Sequence, residues 1–215
     1  MKSVNIIFLG RPGSGKGTQV ALLGKKFSLK EIDTGSFLRE LAKENSFLGR
    51  KIALTMKKGQ LVPSWLVSFL WFQNIRDISV KKGLLFEGSP RAIEEAKIIE
   101  EALEWLGRRN FRAIYLNISE KEVKRRLIVR RICEDCQKEF SLALTPDIKK
   151  CTVCGGKLKR RPDDTSKAIE KRLSVFRKQI LPVIDYFRKK RFLIEVDGEG
   201  RVEEVFQRII KKLKA

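Results

Sequence analysis

Four short apolar runs lie along the chain, and segments with helical spacing of apolar residues separate them. The runs are residues 4–9, 84–87, 113–118 and 192–196. A continuous apolar run of this length is typical of a strand that is buried on both faces of a parallel sheet. Strands that alternate with helices predict right-handed crossovers, so we expect an α/β fold built on a parallel sheet.

Apolar residues at near-helical spacing predict helices over residues 18–27, 119–131 and 165–190. The second of these opens with Ser119 and Glu122, which form a capping-box pair. Pro182 is expected to mark a kink or a boundary in the third. Residues 34–62 are predicted to form a mostly helical insert. The pattern as a whole predicts one core with two inserted flaps.

The composition excludes several kinds of chemistry. The chain has 215 residues, with 47 Lys and Arg against 26 Asp and Glu, no His, and a formal charge of +21. Without His there is no His-containing triad, His general base or His-ligated metal, so a metal would need Cys or carboxylate ligands. The basic excess agrees with a polyanionic partner and equally with a surface rich in Lys and Arg, and charge alone does not decide between them.

Neither a membrane span nor a signal peptide is expected. The longest apolar stretches, such as residues 4–9, fall far short of the ~20 residues that a membrane span needs. Glycines and Pro12 interrupt the N-terminal run before it reaches the length of a signal peptide. We therefore expect a cytoplasmic protein with no membrane partner.

A glycine-rich segment follows the first predicted strand and leads into the first predicted helix. It reads Gly10-Arg11-Pro12-Gly13-Ser14-Gly15-Lys16-Gly17-Thr18. Such a loop turns its backbone N–H groups inward, and the dipole of the following helix also favours phosphate. Lys16 is placed to reach the β- and γ-phosphates of a nucleotide, and a hydroxyl at the helix start can meet Mg²⁺. A standard P-loop has Ser or Thr directly after the lysine, whereas here Gly17 precedes Thr18.

All four cysteines occur in two Cys-x-x-Cys pairs. Cys133 and Cys136 form the first pair, Cys151 and Cys154 form the second, and fourteen residues separate them. This spacing is close to that of a structural tetrathiolate Zn²⁺ site. Disulfides and buried free thiols are the alternatives, and the sequence does not distinguish zinc from iron. A free-standing zinc ribbon that binds nucleic acid is a competing hypothesis, which the basic residues around the second pair support.

The form Gly-x-Pro-Gly-x-Gly-Lys-Gly-Thr resembles the P-loop of nucleoside monophosphate kinases, and of adenylate kinases in particular. The resemblance continues along nearly the whole chain. Residues 33–39 resemble the start of the family's monophosphate-binding segment, residues 60–63 its end, and residues 87–91 its Asp-Gly-aromatic-Pro-Arg turn. The four cysteines resemble those of members with a zinc lid. The charged residues around the lid follow in the expected order, as Arg130, Arg131, Arg161, Asp163, Asp164 and Arg172.

This resemblance implies a three-layer P-loop α/β fold with a central parallel five-stranded sheet, a helical monophosphate-binding insert and a small zinc-bound lid. The core would be residues 1–32, 63–129 and 163–215, the insert 33–62, and the lid 130–162. The implied activity is reversible, Mg²⁺-dependent phosphoryl transfer from ATP to AMP that gives two ADP, with closure of both flaps excluding water. We expect a monomer with structural Zn²⁺, with Mg²⁺ bound alongside ATP, and without a nucleic-acid partner.

The family's functional residues are carried over where this sequence matches. The catalytic residues would be Lys16, Arg91, Arg130, Arg161 and Arg172. The ATP site would contain Gly13, Ser14, Gly15, Lys16, Gly17, Thr18, Arg130, Glu139, Phe140 and Gly200. The AMP site would contain Thr34, Arg39, Gln60, Leu61, Val62, Gly88, Ser89, Pro90, Arg91, Glu95, Arg161 and Arg172. Glu87, in place of the family's usual Asp, would hold Mg²⁺ through water.

Two departures from the family pattern concern the acceptor. Ser89 replaces an aromatic residue, and Glu95 stands where the family has a Gln that pairs with adenine. An ionised Glu only accepts hydrogen bonds, so it suits the two adjacent donors of guanine better than it suits adenine. Thr34 and residues 60–62 match the adenine-specific pattern, so AMP is the favoured acceptor and GMP the alternative. A nucleic-acid-binding protein with a P-loop and a zinc ribbon is the less favoured third hypothesis.

Overall fold

The computed structural model describes residues 4–108, 110–161 and 164–214. The strands of the described chain are β1 Asn5–Gly10, β2 Lys30–Asp33, β3 Leu84–Glu87, β4 Phe111–Asn117, β5 Arg130–Cys133, β6 Glu139–Ser141, β7 Leu158–Arg160 and β8 Leu193–Asp197. Its helices are α1 Lys16–Phe27, α2 Thr34–Leu41, α3 Phe47–Lys57, α4 Ser64–Ile75, α5 Ile93–Trp105, α6 Glu120–Ile128, α7 Ser166–Val175, α8 Leu181–Lys189 and α9 Val202–Lys214. A π-helical turn, Phe176–Ile180, joins α7 to α8.

The main sheet has five strands in the order β2-β3-β1-β4-β8, and each neighbouring pair is parallel. Alternate residues of β1 point to opposite faces, because successive side chains of a strand alternate. Ile7 packs in a core cluster with residues of α4, α5 and α8, whereas Phe8 packs in a second cluster with residues of α1 and α9. Helices therefore cover both faces, which confirms the predicted three-layer α/β fold.

The four apolar runs are confirmed as strands, to within two residues at each end, but the pattern did not identify β2. This strand reads Lys30-Glu31-Ile32-Asp33, and only Ile32 is buried. It lies at the edge of the sheet, where it pairs with β3 alone. An edge strand with one buried side chain lacks the continuous apolar run that marks the inner strands.

Residues 34–62 are mostly helical, as predicted, and contain α2 and α3 between β2 and α4. Pro182 is the second residue of α8 and follows the π-helical turn, so it marks a boundary as predicted. Proline suits this position because the N–H groups of the first helical turn have no intrahelical partner.

The helix predicted over residues 119–131 is too long. It ends at Ile128, and residues 130–133 instead form β5, the central strand of a small antiparallel sheet in the order β6-β5-β7. In this sheet Arg131 pairs with Phe140 on one side and with Arg160 on the other. These pairings lie outside the local pattern, and such tertiary pairing overrides helical spacing over a few residues.

The capping box at the start of α6 is half formed. Ser119 Oγ accepts a hydrogen bond from the N–H of Glu122 at 3.2 Å. The Glu122 carboxylate does not return to Ser119 but pairs with Arg125 and Arg126. The N–H of Ser119 donates to Glu199 Oε1 at 2.9 Å, so a residue from the loop before α9 completes the cap.

The small sheet carries the segment that contains the cysteines. Lys150 forms an antiparallel bridge with Lys157, which closes the second Cys-x-x-Cys turn. The predicted boundary between residues 162 and 163, together with Asp163, lies outside the described residues. No described helix has both the length and the apolar character needed to cross a membrane.

Candidate active site

The glycine-rich loop connects β1 to α1. Gly13 and Gly15 have φ angles of 74° and 91°, in the left-handed region that favours glycine. These turns bring Lys16 back over the loop, where its Nζ donates hydrogen bonds to the carbonyl oxygens of Gly10 and Arg11, each at 2.9 Å. The lysine thus starts the helix while its side chain lies against the loop. Gly17 and Thr18, the next two residues of α1, are exposed.

The ammonium group of Lys16 lies in a site of high positive charge. Burial lowers its pKa to about 8, an effect that Glu87 opposes and that Arg91, Arg172 and Arg130 reinforce. Desolvation disfavours the charged form of an amine, and nearby cations do the same. Several cations gathered in one partly buried place create a strong potential for a polyanion such as a phosphate chain.

Glu87 stands at the carboxyl end of β3 and close to the start of α1. A Cβ placed on Gly17 would lie 3.5 Å from Glu87 Oε1, so the carboxylate faces the first turn of the helix. Burial raises the pKa of Glu87, Lys16 lowers it, and the carboxylates of Asp33 and Glu139 raise it further. Oxygen donors with surplus negative charge suit a hard divalent cation, so these residues fit Mg²⁺.

A cavity of about 330 Å³ opens between the loop, the helical insert and the end of β3. Apolar residues such as Leu38, Met56 and Val67 form part of its wall. We refer to it as the acceptor cavity. Every residue predicted for the AMP site lines it together with Lys16, namely Thr34, Arg39, Gln60, Leu61, Val62, Gly88, Ser89, Pro90, Arg91, Glu95, Arg161 and Arg172.

The two residues that depart from the family pattern contact each other in this cavity. Ser89 Oγ donates to Glu95 Oε2 at 2.9 Å, and the N–H of Arg91 donates to the same oxygen at 2.8 Å. Glu95 is only 2% exposed, and burial raises its pKa, although the hydrogen bonds from Arg91, Ser89 and Ser64 oppose the shift. The serine therefore replaces the missing aromatic ring with a hydrogen bond that orients the carboxyl group.

Three further polar residues of the cavity, Thr34, Arg39 and Arg91, either lack a hydrogen-bond partner among the described residues or lie beside carboxylates that offset their charge. Thr34 Oγ1 is buried with no hydrogen-bond partner among the described residues. Arg39 donates to Asp33 Oδ2 at 3.3 Å, and Asp33 Oδ1 caps α2 by accepting from the N–H of Ser36 at 3.1 Å. Burial lowers the pKa of Arg91, and the charges of Glu95 and Asp33 oppose that shift. These groups are placed to interact with a polar, anionic ligand.

An ion-pair cluster joins the small sheet to α7. The carboxylate of Asp164 is fully buried and binds Arg130 through two hydrogen bonds of 2.6 and 2.7 Å. The same carboxylate accepts from Arg172 at 3.0 Å. Glu139 accepts from Arg130 at 2.8 Å and also pairs with Arg161. Three of the arginines predicted for catalysis therefore meet around two carboxylates.

The residues predicted for the ATP site come from three separate places. The loop and the start of α1 supply Gly13 to Thr18, and the small sheet supplies Arg130, Glu139 and Phe140. Phe140 is half-buried and lies opposite Arg131. Gly200 lies in the turn before α9 with a φ of 104°. Of this set, only Lys16 lines the acceptor cavity.

Arg126 connects the loop to the turn before α9, a contact that sequence inspection did not identify. Its Nη1 donates to the carbonyl oxygen of Ser14 at 3.3 Å, and its Nη2 donates to the carbonyl oxygen of Gly198 at 3.1 Å. It is only 2% exposed and pairs with Glu122 at 2.6 Å. Nothing in the local sequence distinguishes it from its neighbour Arg125, whose side chain is half exposed. Asp164 was likewise noted only for its place in the order of charged residues.

The four cysteines converge on one point of the small sheet. Their Sγ atoms all lie within 4.8 Å of one another, with 3.5 Å between Cys133 and Cys154 and between Cys136 and Cys151. Sulfur atoms at the corners of a zinc tetrahedron lie about 3.8 Å apart, given Zn–S bonds of ~2.3 Å. In residues 131–161 only Cys133 and Cys151 are buried. The cluster can hold a metal ion. Residues 131–161 have no apolar core that could hold the segment together in place of a metal.

The chain was compared with known proteins. It matches the adenylate kinase family model over residues 8–192. Adenylate kinase of Thermosipho melanesiensis is 38% identical over 213 residues, covering 98% of this chain and 100% of that protein. Adenylate kinase of Archaeoglobus fulgidus is 35% identical over 217 residues, covering 99% of this chain and 100% of that protein. The glycine-rich loop, the acceptor cavity and the four-Cys cluster thus belong to one chain that is similar to these enzymes along its length. The chain is a member of the adenylate kinase family and a nucleoside monophosphate kinase.

Proposed function

We propose that the protein transfers a phosphoryl group reversibly between ATP and AMP to give two ADP, with Mg²⁺ bound alongside ATP. The observation that carries this proposal is the acceptor cavity, which Lys16 lines together with four arginines, Arg39, Arg91, Arg161 and Arg172, next to apolar walls. A phosphate group would lie near the cations and a purine against the walls. Thr34 Oγ1, buried without a partner among the described residues, supplies a hydrogen-bonding group for the base.

Phosphoryl transfer requires mainly positioning and neutralisation of charge, which these residues supply. Lys16 would bind the terminal phosphates of the donor, and Arg39, Arg91 and Arg172 would bind the acceptor's phosphate. Arg130 and Arg161 would stabilise the charge on the transferring group, since a planar guanidinium can bind two phosphate oxygens at once. Asp164 would act as a positioning residue, because it orients Arg130 and Arg172 together.

Two metal ions would support this activity. Glu87 would hold Mg²⁺ through water near the first turn of α1, where the ion would neutralise charge on the phosphate chain. The four cysteines would hold Zn²⁺, which suits four thiolates and closes its tetrahedron without an open catalytic position. The zinc would hold residues 130–162 in shape and leave the chemistry to other groups.

The proposed division of the chain follows from these roles. Residues 130–162 would form a lid over ATP, residues 33–62 would form the AMP-binding insert, and the rest would form the core. Closure of both flaps would exclude water, which otherwise competes with AMP for the phosphoryl group. The ATP site would draw on the loop, the small sheet and Gly200, three places that closure would bring together. We propose that the protein works as a monomer in the cytoplasm.

A coupled assay that follows ADP formation tests the function directly. Purified protein with ATP, AMP and Mg²⁺ is expected to form ADP, and omission of AMP or chelation of Mg²⁺ is expected to abolish it. Absence of AMP-dependent ADP formation from active, folded protein would rule out the proposal.

GMP is the second candidate acceptor, and the geometry of Glu95 favours it. An ionised carboxylate held by Ser89 and Arg91 presents only acceptors, which match the adjacent donors of guanine. The raised pKa of Glu95 favours adenine instead, because a protonated carboxyl can donate a hydrogen bond to adenine as a Gln amide does. For this reason AMP stays the preferred acceptor.

Turnover with AMP, GMP, CMP and UMP measured in parallel decides between the two acceptors. We expect AMP to dominate, and we expect Glu95→Gln to lower the KM for AMP about tenfold, the effect of one hydrogen bond worth ~1.4 kcal/mol, with little change in kcat. Glu94→Gln is the matched control, since Glu94 is an exposed neighbour on the same helix, and it is expected to change neither constant. A preference for GMP that Glu95→Gln reverses would replace AMP with GMP in the proposal.

The pKa of Lys16 predicts a pH dependence of ATP use. The protonated amine binds phosphate, so kcat/KM for ATP should be flat well below pH 8, reach half of its plateau near the pKa of about 8, and fall by up to about tenfold per pH unit above it. The fall in kcat should come at higher pH, because bound phosphates favour the protonated lysine. Steady-state rates from neutral pH to about pH 10 check this. Lys16→Arg, whose guanidinium keeps its proton throughout, should lack the alkaline fall in kcat/KM. A flat wild-type profile beyond pH 9 would contradict the prediction.

A further inference from the structure

The side chain of Arg11 connects the glycine-rich loop to the neighbouring strand. Its Nη1 donates to Tyr115 Oη at 2.7 Å, to Asn117 Oδ1 at 2.7 Å and to the carbonyl oxygen of Ile118 at 2.9 Å. These acceptors lie at the carboxyl end of β4, which pairs with β1 so that Leu9 is beside Tyr115. Arg11 therefore reaches sideways from the end of one strand to the end of the next.

The same guanidinium contacts the junction between α7 and α8. Its Cζ lies 4.9 Å from the ring centroid of Phe176, a distance typical of a cation–π interaction. Phe176 is fully buried and is the first residue of the π-helical turn. The ring of Tyr115 stacks on it with 6.4 Å between centroids and 25° between planes. One side chain thus joins the loop, β4 and the helix pair that follows the small sheet.

The backbone of Arg11, unlike its side chain, contacts the part of the loop that is proposed to bind phosphate. Its carbonyl oxygen accepts from Lys16 Nζ at 2.9 Å and from the N–H of Ser14 at 3.2 Å. The backbone of Arg11 therefore belongs to the first turn of the loop, and its side chain anchors that turn to β4 and Phe176. Hydrogen bonds from a charged donor are stronger than those between neutral groups, so the hydrogen bonds of this anchor are strong ones.

We propose that Arg11 is a positioning residue for the donor's phosphates, which holds the first turn of the loop against β4 and Phe176. A loop that is held in its binding conformation loses less entropy when the phosphates bind. Arg11 touches neither substrate in this scheme and acts through Lys16 and the backbone N–H groups of the loop. The inference rests on the proposed function, since it takes the donor to be ATP bound at this loop.

Arg11→Ala tests the proposal through the two KM values. We expect the KM for ATP to rise on the order of tenfold, less than the ~100-fold that a misplacement of 1 Å can cost. The KM for AMP should stay within about twofold, because Arg11 is not among the residues that line the acceptor cavity. Titration of ATP alone, followed by calorimetry, should show a matching loss of affinity. Arg11→Lys keeps a charge near Phe176 but offers a smaller donor group, so its KM for ATP should lie between those of wild type and Arg11→Ala.

Three comparisons keep the test decisive. Arg76→Ala, which removes an exposed arginine of an isolated surface pair, should change neither KM. Tyr115→Phe removes one hydrogen-bond acceptor of Arg11 and keeps the ring, so it should raise the KM for ATP slightly. If Arg11→Ala does not fold, Tyr115→Phe and Arg11→Lys test the proposal in its place. In the double variant with Phe176→Leu, the effects on the KM for ATP should be less than additive.

Equal changes in both KM values, or a loss of activity that only follows a loss of stability, would overturn the role of Arg11. An unchanged KM for ATP in all three single variants at the anchor, Arg11→Ala, Arg11→Lys and Tyr115→Phe, would do the same. Wild-type turnover of ATP and AMP is measured in the same series, so a failure of the proposed function is seen separately from a failure of this inference.

Discussion

Replacing Lys16 by methionine is expected to lower kcat by about 10²–10³-fold, the range observed when one preorganised charge-stabilising donor is removed. Methionine keeps an unbranched side chain and removes the charge. The ammonium lies among Arg91, Arg130 and Arg172, and its burial already disfavours the charged form. Because the loss of that charge relieves repulsion among the cations, the midpoint of thermal unfolding measured without nucleotide should stay at or above the wild-type value.

Steady-state kinetics and a thermal melt on the same samples check this expectation. Lys25→Met is the matched control, because Lys25 is an exposed lysine in the last turn of the same helix, α1. It should leave both kcat and the midpoint unchanged. Activity of Lys16→Met within tenfold of wild type would remove the lysine from the proposed mechanism. A strongly lowered midpoint would mean that the lysine stabilises the loop in the folded protein.

Loss of the metal at the four-Cys cluster is expected to have the largest effect on stability. The wild-type protein should contain one metal ion per chain, and Cys151→Ser should lose it. Cys133 and Cys151 are the buried residues of segment 131–161, so without the ion the segment has no core. We expect the midpoint of thermal unfolding to fall by about 10 °C. Loss of the metal should lower the free energy of unfolding by several kcal/mol, and each kcal/mol lowers the midpoint of a chain of this size by ~2–4 °C. Chelation of the wild-type protein should have the same effect.

Metal analysis by mass spectrometry and a melt with and without chelator make this measurement, and they also identify the ion as zinc or iron. Val153→Ala is the control within the same turn, since Val153 is 67% exposed between Cys151 and Cys154. It should keep both the metal and the midpoint. Metal-free wild-type protein with an unchanged midpoint would show that the cluster is not a structural site. Activity should fall along with the metal, because Arg130 and Arg161 flank the segment.

Features that depend on consecutive residues could be predicted from the sequence. The glycine-rich loop is one, since its glycines, Lys16 and the following helix are contiguous. The four-Cys cluster is another, because two short turns at a fixed spacing suffice for a tetrahedral site. The inner strands followed from their apolar runs, since both of their faces are buried. The edge strand β2 and the true end of α6 were missed, because pairing with distant segments determines them.

The contacts that organise the active site are long-range, and the local sequence carries little sign of them. Arg126 reaches Ser14 across 112 residues of sequence, and Arg11 reaches Tyr115 across 104. Asp164, which lies between the small sheet and α7, binds Arg130 of the sheet and Arg172 of the helix. Likewise, the hydrogen bond between Ser89 and Glu95 turns two separate departures from the family pattern into one structural unit.

The sequence by itself determined a phosphate-binding site, because phosphate binding by backbone N–H groups and one lysine needs only a short contiguous loop at a helix start. The class of reaction followed from the resemblance of the motifs to nucleoside monophosphate kinases. It also determined four of the five strands of the main sheet, through their apolar runs. The family resemblance already named the five basic residues that line the acceptor cavity, and the tertiary structure alone decided which carboxylates they meet and how deeply they are buried. The physical reason is that the potential, burial and pKa of a side chain depend on groups brought from distant parts of the chain. The charge total of +21 therefore does not by itself identify the residues around the cavity.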